Sequence, residues 1–139
     1  MSNIEKIRKF FAGDRYATVL TGARILEAEK NYSKCALTLT DDHRNAMGGV
    51  MGGVMFTLAD LAFAVASNLD SPPTVGVSCS ISYLGVAKGS ELIATTTCLH
   101  DGRSTCSYIV DIKDELGNAV ASVQCVGFRK KGECAITSD

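Results

Sequence analysis

Apolar positions recur along this chain at more than one spacing, and each spacing predicts an element. Ile4, Ile7, Phe10 and Phe11 fall at helical intervals with charges opposite, which predicts a helix over about 3–12, ended by Gly13-Asp14. Tyr16 to Leu20 adds a short turn. The pattern turns strand-like over 24–30 and 34–40, where Cys35, Leu37 and Leu39 alternate with Ala36, Thr38 and Thr40 around a turn at Asn31-Tyr32-Ser33. From Val54 to Ala66 every position is apolar or small except Thr57 and Asp60, predicting a central helix over about 53–68, closed by Asn68 and Pro72. Alternation then returns in strands over about 74–84, 90–100 and 103–113. The last of these puts Ser104, Cys106, Tyr108, Val110 and Ile112 on one side. A turn at Glu115–Asn118 leads to a final strand over 119–129, and the tail GECAITSD is expected to fray.

The order is therefore helix, two strands, one long helix, four strands. A helix so apolar, among so many strands, is best buried by a curled antiparallel sheet wrapped around it. The expected class is α+β, with residues 1–139 forming a single domain. The doubled GGVM at 48–55 is too local to mark a repeat architecture.

Composition narrows the functions. With 46% hydrophobic and 21% charged residues, the chain can fill a core and is not a disordered type. A formal net charge of −1 gives no electrostatic reason to expect nucleic acid or an acidic membrane as partner. An aromatic content of 6% without Trp argues against base stacking. The apolar run at the centre is too short to span a bilayer with a charge at its middle. None of the six cysteines has C-x-x-C spacing, so neither zinc nor thioredoxin-type chemistry is indicated. The amphipathic N-terminus lacks the apolar core of a signal peptide, and reduced thiols in a cytoplasmic protein are expected.

The chemistry concentrates in HRNAMGGVMGGVMFTLADLAFAVASN, residues 43–68. Glycines at 48, 49, 52 and 53 precede the central helix, whose free N–H groups and dipole favour an anion or a developing oxyanion. Asp60, enclosed by apolar neighbours, must find hydrogen-bond partners or be held poised as a base. Glycine loop, helix start and buried acid together suggest acyl transfer to water. Gly53 and Asp60 share a helix face but lie roughly 10 Å apart along it, too far to act on one carbonyl. If both are catalytic, the glycine end of one chain pairs with Asp60 of another across a two-fold axis. His43, in a polar loop, is expected to be exposed and structural, and His100 sits in a turn. Neither a Ser–His–Asp arrangement nor a metal-ligand cluster is present.

This segment resembles the signature of hotdog-fold acyl-CoA thioesterases, especially the phenylacetate-pathway type and its mammalian relatives, within the 4-hydroxybenzoyl-CoA thioesterase superfamily. There an Asn is followed by a stretch ending in His-Gly-Gly, then Leu-x-Asp about seven residues on. ISYLGVAKGSELIA resembles the strand-turn-strand that follows the helix, and DGRSTCSYIVDIKDELGNAVASVQCVGFR resembles the closing hairpin. The resemblance spans about residues 20–130. It implies a hotdog fold, a homodimer with shared active sites, pairing again into a homotetramer, and hydrolysis of an acyl-CoA substrate with no cofactor, CoA entering as part of the substrate. Asp60 corresponds to the catalytic base or nucleophile, Asn45 to the residue positioning water or thioester, and Gly52, with Gly53, to the amide that polarises the thioester. Met51 stands where the family has His, which puts part of the machinery in question. A Ser or Thr that assists water in some members corresponds to the region of Gly76, with Ser78 and Ser80 close by. Arg103, Lys88 and Lys130 are candidates for the CoA phosphates.

Two rival readings remain open. Met51 removes a polar group from the signature, which supports a protein that binds acyl-CoA or another apolar ligand without hydrolysing it. An enoyl-CoA hydratase is weaker, since neither histidine is spaced to pair with an Asp.

Overall fold

The computed structural model describes residues 2–139. Helix α1 (Asn3–Phe11) opens with a reciprocal cap, in which the Glu5 amide donates to Ser2 Oγ and the Ser2 amide donates to the Glu5 carboxylate. Its Ile7 and Phe11 are buried. One π-helical turn, Tyr16–Leu20, follows. Strands β1 (Arg24–Glu29) and β2 (Tyr32–Thr38) form a hairpin, and helix α2 runs Gly52–Asn68. Then come β3 (Thr74–Tyr83), β4 (Glu91–Asp101), β5 (Thr105–Asp114) and β6 (Ala119–Arg129).

All six strands join one antiparallel sheet in the order β1-β2-β4-β5-β6-β3. It curls around α2, the expected wrapped-helix architecture. Period-two alternation supplies the sheet's inner face: Cys106, Tyr108, Val110 and Ile112 on β5 are fully covered, as are Leu58, Ala59, Ala62, Val65 and Ala66 on α2. Ser33 Oγ donates to the Ala62 carbonyl (2.6 Å), stitching α2 to β2. Phe63 meets Tyr108 edge to face, with ring centroids 5.6 Å apart. The Phe63 ring reaches the sheet where Gly76 and Gly127 pair. A β-carbon on Gly127 would stand 2.9 Å from the Phe63 ring, from Cys106 Sγ and from Thr74 Cγ2, so the close approach needs glycine there.

The two sheet edges differ. β1 is short, bulged between Ile25 and Glu27, and carries Arg24, Glu27 and Glu29. β3 is ten residues long, with Val75 and Val77 exposed and no charged side chain. Both edges carry a bulge, at Val77 on β3, but charges blunt β1 against pairing, and a long uncharged edge such as β3 invites it.

Three local expectations are corrected. The β1–β2 turn is Lys30-Asn31, with Glu29 paired to Tyr32 and Asn31 in a left-handed conformation (φ 65°) that asparagine tolerates. The tail does not fray over its whole length. Ile136 is buried and bridges Leu69, the Asp70 amide donates to its carbonyl, and Ser138 donates to the Asp70 carboxylate from both N and Oγ. Burial of one apolar side chain and satisfaction of backbone groups outweigh the polar composition. His43 is buried rather than exposed, for reasons given below.

Candidate active site

The loop entering α2 is a tight hairpin. Arg44 bridges Val50, the Asn45 amide donates to the Gly49 carbonyl (2.8 Å), and the Gly48 amide donates to the Asn45 carbonyl (3.0 Å). Asn45 Oδ1 accepts from the Met47 and Gly49 amides, each at 3.0 Å. Asn45 thus builds the loop with its carbonyl oxygen, and its Nδ2 remains as a donor. Gly48, at φ +87°, takes the left-handed corner.

His43 anchors this loop from beneath. Its Nδ1 accepts from the Thr40 amide (3.0 Å), leaving Nε2–H to donate to the Thr21 carbonyl (2.8 Å). The ring therefore ties the glycine loop to the segment before β1, and this long-range bond is why it is buried. The Met51 amide in turn donates to the His43 carbonyl (2.9 Å).

Met51 is the N-cap of α2, with extended backbone and no capping bond from its side chain, because a thioether is at best a weak acceptor. The Val54 amide turns back to the Met51 carbonyl (3.0 Å). The Gly52 and Gly53 amides have no acceptor among the described residues, so the positive end of a 17-residue helix is left bare. Met51 itself is 56% exposed.

Two clefts flank α2. The first, about 340 Å³, opens at the helix start between Gly49, Val50, Gly52, Met55, Tyr83, Val86 and Val120. The second, about 370 Å³, lies between α2 and the segment after α1, lined by Asp14, Arg15, Tyr16, Phe56, Thr57, Asp60 and Leu61. Gly52 and Asp60 thus face different clefts within one chain.

Asp60 corrects the expectation of an enclosed acid, because it is exposed in the single chain. At 100° per residue it falls on the narrow outward strip of α2 with Gly53, Thr57 and Ala64, while Leu58, Ala59, Leu61 and Ala62 turn to the sheet. Thr57 on that strip donates to the Gly53 carbonyl (2.8 Å). The cleft walls still strip enough water from Asp60 to raise its pKa above the usual aspartate value, and the Asp14 charge raises it further. Burial raises Asp14 as well.

Gly76 packs against Phe63, and Ser78 is exposed beside a bulge between Gly76 and Ser78, so neither lines either cleft. The sequence pattern marks neither the segment carrying Asp14, Arg15 and Tyr16 nor Tyr83 as part of a site. The one available signal was alternation along β3, which puts Cys79, Ile81 and Tyr83 on the helix side once the bulge is counted. All six cysteines are free thiols. Among the described residues no group of three His, Cys, Asp or Glu could hold a metal, and no helix is long and apolar enough to cross a membrane.

Comparison with known proteins bears on the family and the fold. The family model described as Thioesterase superfamily matches residues 47–121, from the glycine loop into β6. Acyl-coenzyme A thioesterase PaaI of Escherichia coli K12 is 32% identical over 102 residues, 72% of each chain. The solved structure of the E. coli PaaI protein from the phenylacetic acid degradation operon superimposes with a TM-score of 0.81 at 26% identity, covering 95% of this chain and 99% of that one. The smu.793 protein of Streptococcus mutans, bound to acetyl CoA, superimposes with a TM-score of 0.69 at 26% identity, covering 78% of this chain and 89% of that one. With a family model matched over more than half its length and a curled sheet around one helix, this chain belongs to the thioesterase superfamily and has its hotdog fold.

Proposed function

We propose that this protein hydrolyses an acyl-CoA thioester to the free acid and CoA. The observation that carries the reading is the bare start of α2: two glycine amides without acceptors, with Gly52 lining an apolar cleft, in a chain of this superfamily. A thioester carbonyl seated there accepts from the Gly52 amide, with Gly53 beside it, and the helix dipole stabilises the negative charge that develops on its oxygen. Asp60 takes a proton from water as the water oxygen attacks the carbonyl carbon, or it attacks that carbon directly to form an acyl-aspartyl anhydride, which water then hydrolyses to the free acid and the regenerated carboxylate. The tetrahedral intermediate collapses, the C–S bond breaks, and CoA leaves as a thiolate. Thiols are acidic enough to leave with little help, so a sparse site suffices. Asn45 Nδ2, a donor the loop itself does not use, orients the water or thioester. CoA is part of the substrate, and no cofactor enters these steps.

Because Gly52 and Asp60 face different clefts, the complete site joins the glycine end of one chain to Asp60 of a second across a two-fold axis. The uncharged β3 edge is the surface on which the copies meet, and the dimers pair again into a tetramer. The relatives named acyl-coenzyme A thioesterase and the neighbour bound to acetyl CoA support the substrate class.

A second reading, acyl-CoA binding without hydrolysis, is favoured by one observation, the exposed thioether at Met51 in place of a polar group. Release of free thiol from a panel of acetyl-, phenylacetyl- and long-chain acyl-CoAs separates the two. Turnover that disappears in Asp60→Asn, with the assembly intact, supports hydrolysis. Tight binding with no thiol released from any acyl-CoA rejects it.

A further inference from the structure

We propose that the Tyr83 hydroxyl is a second hydrogen-bond donor to the thioester carbonyl, working beside the Gly52 amide; this rests on the hydrolytic reading above. Tyr83 ends β3, paired in register with Ala121 on β6. Its phenol stands over the first residue of α2, so that a β-carbon built on Gly52 would lie 2.5 Å from Tyr83 Oη, 2.8 Å from Cζ and 3.1 Å from Cε1. Glycine at 52 therefore does two things: it bares an amide and it gives the phenol a place against the helix start.

The hydroxyl is not used elsewhere in the fold. Tyr32 donates to Glu27 and Tyr108 donates to Asn31, whereas the Tyr83 hydroxyl has no partner among the described residues. Tyr83 and Gly52 line the same cleft, whose other walls include Val50, Met55, Val86 and Val120. Bound substrate displaces water from these apolar walls, and a hydrogen bond to a developing oxyanion is stronger there than in solvent. An amide on α2 and a phenol on β3, two donors from different elements, thus stand side by side at the mouth of one cleft. The Met51 side chain can donate nothing at this end of the helix. Tyr83 keeps its proton throughout. It donates a hydrogen bond as charge moves from the carbonyl carbon to oxygen, and Asp60 alone takes the proton of the attacking water.

The test is Tyr83→Phe, which keeps the ring and removes the donor. Tyr83 is 56% exposed, so the fold tolerates the change. Expected is a fall in kcat of about 10- to 100-fold with KM within about twofold, since the donor acts on charge that exists only in the transition state. The second readout needs no turnover. The ketone analogue acetyl-dethia-CoA, labelled with carbon-13 at the carbonyl, is bound to each protein and its C=O stretch is read by infrared difference spectroscopy. The band is expected to lie at lower frequency in the wild type and to move back upward in Tyr83→Phe.

An unchanged band together with kcat within about twofold overturns the role of Tyr83. If the wild type binds the analogue yet releases thiol from no acyl-CoA, the hydrolytic reading fails, and the band still decides whether Tyr83 touches the carbonyl. If the wild type takes up no analogue, both proposals fall.

Discussion

Asp14 and Asp60 look into one cleft from opposite walls, one from the segment that follows α1 and the other from the outward strip of α2. Neither carboxylate has a cation partner among the described residues, since the ion pairs lie elsewhere. Arg15 and Tyr16 share the wall with Asp14, and the Cys125 thiol of β6 feels the Asp60 charge. Burial and then the Asp14 charge make Asp60 harder to ionise. As a base, Asp60 must be ionised, so kcat/KM is expected to fall on the acid side with a midpoint above the ordinary aspartate value of 3.8. Asp14→Asn removes the facing charge and is expected to move that midpoint down. A pH–rate profile of both proteins checks this, and an unmoved midpoint removes Asp14 from the electrostatics of the site.

The same pair makes a stability prediction of opposite sign to its catalytic value. A carboxyl whose folded pKa is raised contributes stability below its unfolded pKa and loses it as pH rises through the folded one. Asp60→Asn is therefore expected to raise Tm at pH 7 while abolishing turnover, with the gain shrinking as pH falls into the acid range. Thermal unfolding at several pH values reads this directly.

The β3 edge yields a test of assembly. Val77 is 60% exposed in the single chain and lies on that edge. Val77→Asp places a charge where two copies would meet, and the expected outcome is a shift to monomer by analytical ultracentrifugation with loss of most activity. A monomer that kept its full rate would show that one chain carries the whole site.

Packing around Phe63 gives the clearest prediction for the core. Gly127→Ala drives a methyl to within 2.9 Å of Phe63, Cys106 and Thr74 at a buried position. Overpacking of this kind costs about 1–3 kcal/mol, and a fall in Tm of several degrees is expected. Phe63→Leu in the same background is expected to recover part of the loss, giving a double-mutant cycle that is not additive.

Asp114, at the end of β5, is buried but takes hydrogen bonds from the amides of Lys88, Gly89, Leu116 and Asn118 and from the Asn118 side chain. Burial opposes its ionisation, yet the Asn118 side chain and these amides hold its pKa far below the aspartate range. Stability from such a group is present above the unfolded pKa and is lost as pH falls towards the folded one. Asp114→Ala is expected to lower Tm at pH 7 well beyond Asp111→Ala on the exposed face of the same strand, with the gap narrowing in acid.

Much of this architecture could be read from the chain because it follows from local pattern. The alternation of Cys106, Tyr108, Val110 and Ile112 identifies the inner face of β5, and the near-continuous apolar run 54–66 identifies the wrapped helix. What escaped depends on contacts remote in sequence. His43 sits among Thr40, Asp41, Asp42 and Arg44, a neighbourhood that looks solvated until Thr21, 22 residues away, supplies an acceptor. Ile136 is a lone apolar residue in a polar tail, with no periodicity to mark the partner it finds in Leu69. Asp60 has apolar neighbours in sequence, but they occupy the other sides of the helix. Tyr83 could be placed over Gly52 only by carrying the alternation of β3 through a bulge that sequence does not announce.

The docked tail has a bearing on how the molecule can be handled. Lys6 on α1 donates to Thr137 Oγ1 (3.4 Å) and to the Asp139 carbonyl, while Ile136 holds the far end of α2, so the tail is clamped between two helices. A fusion partner attached beyond Asp139 would be levered against the end of α2 opposite the glycines.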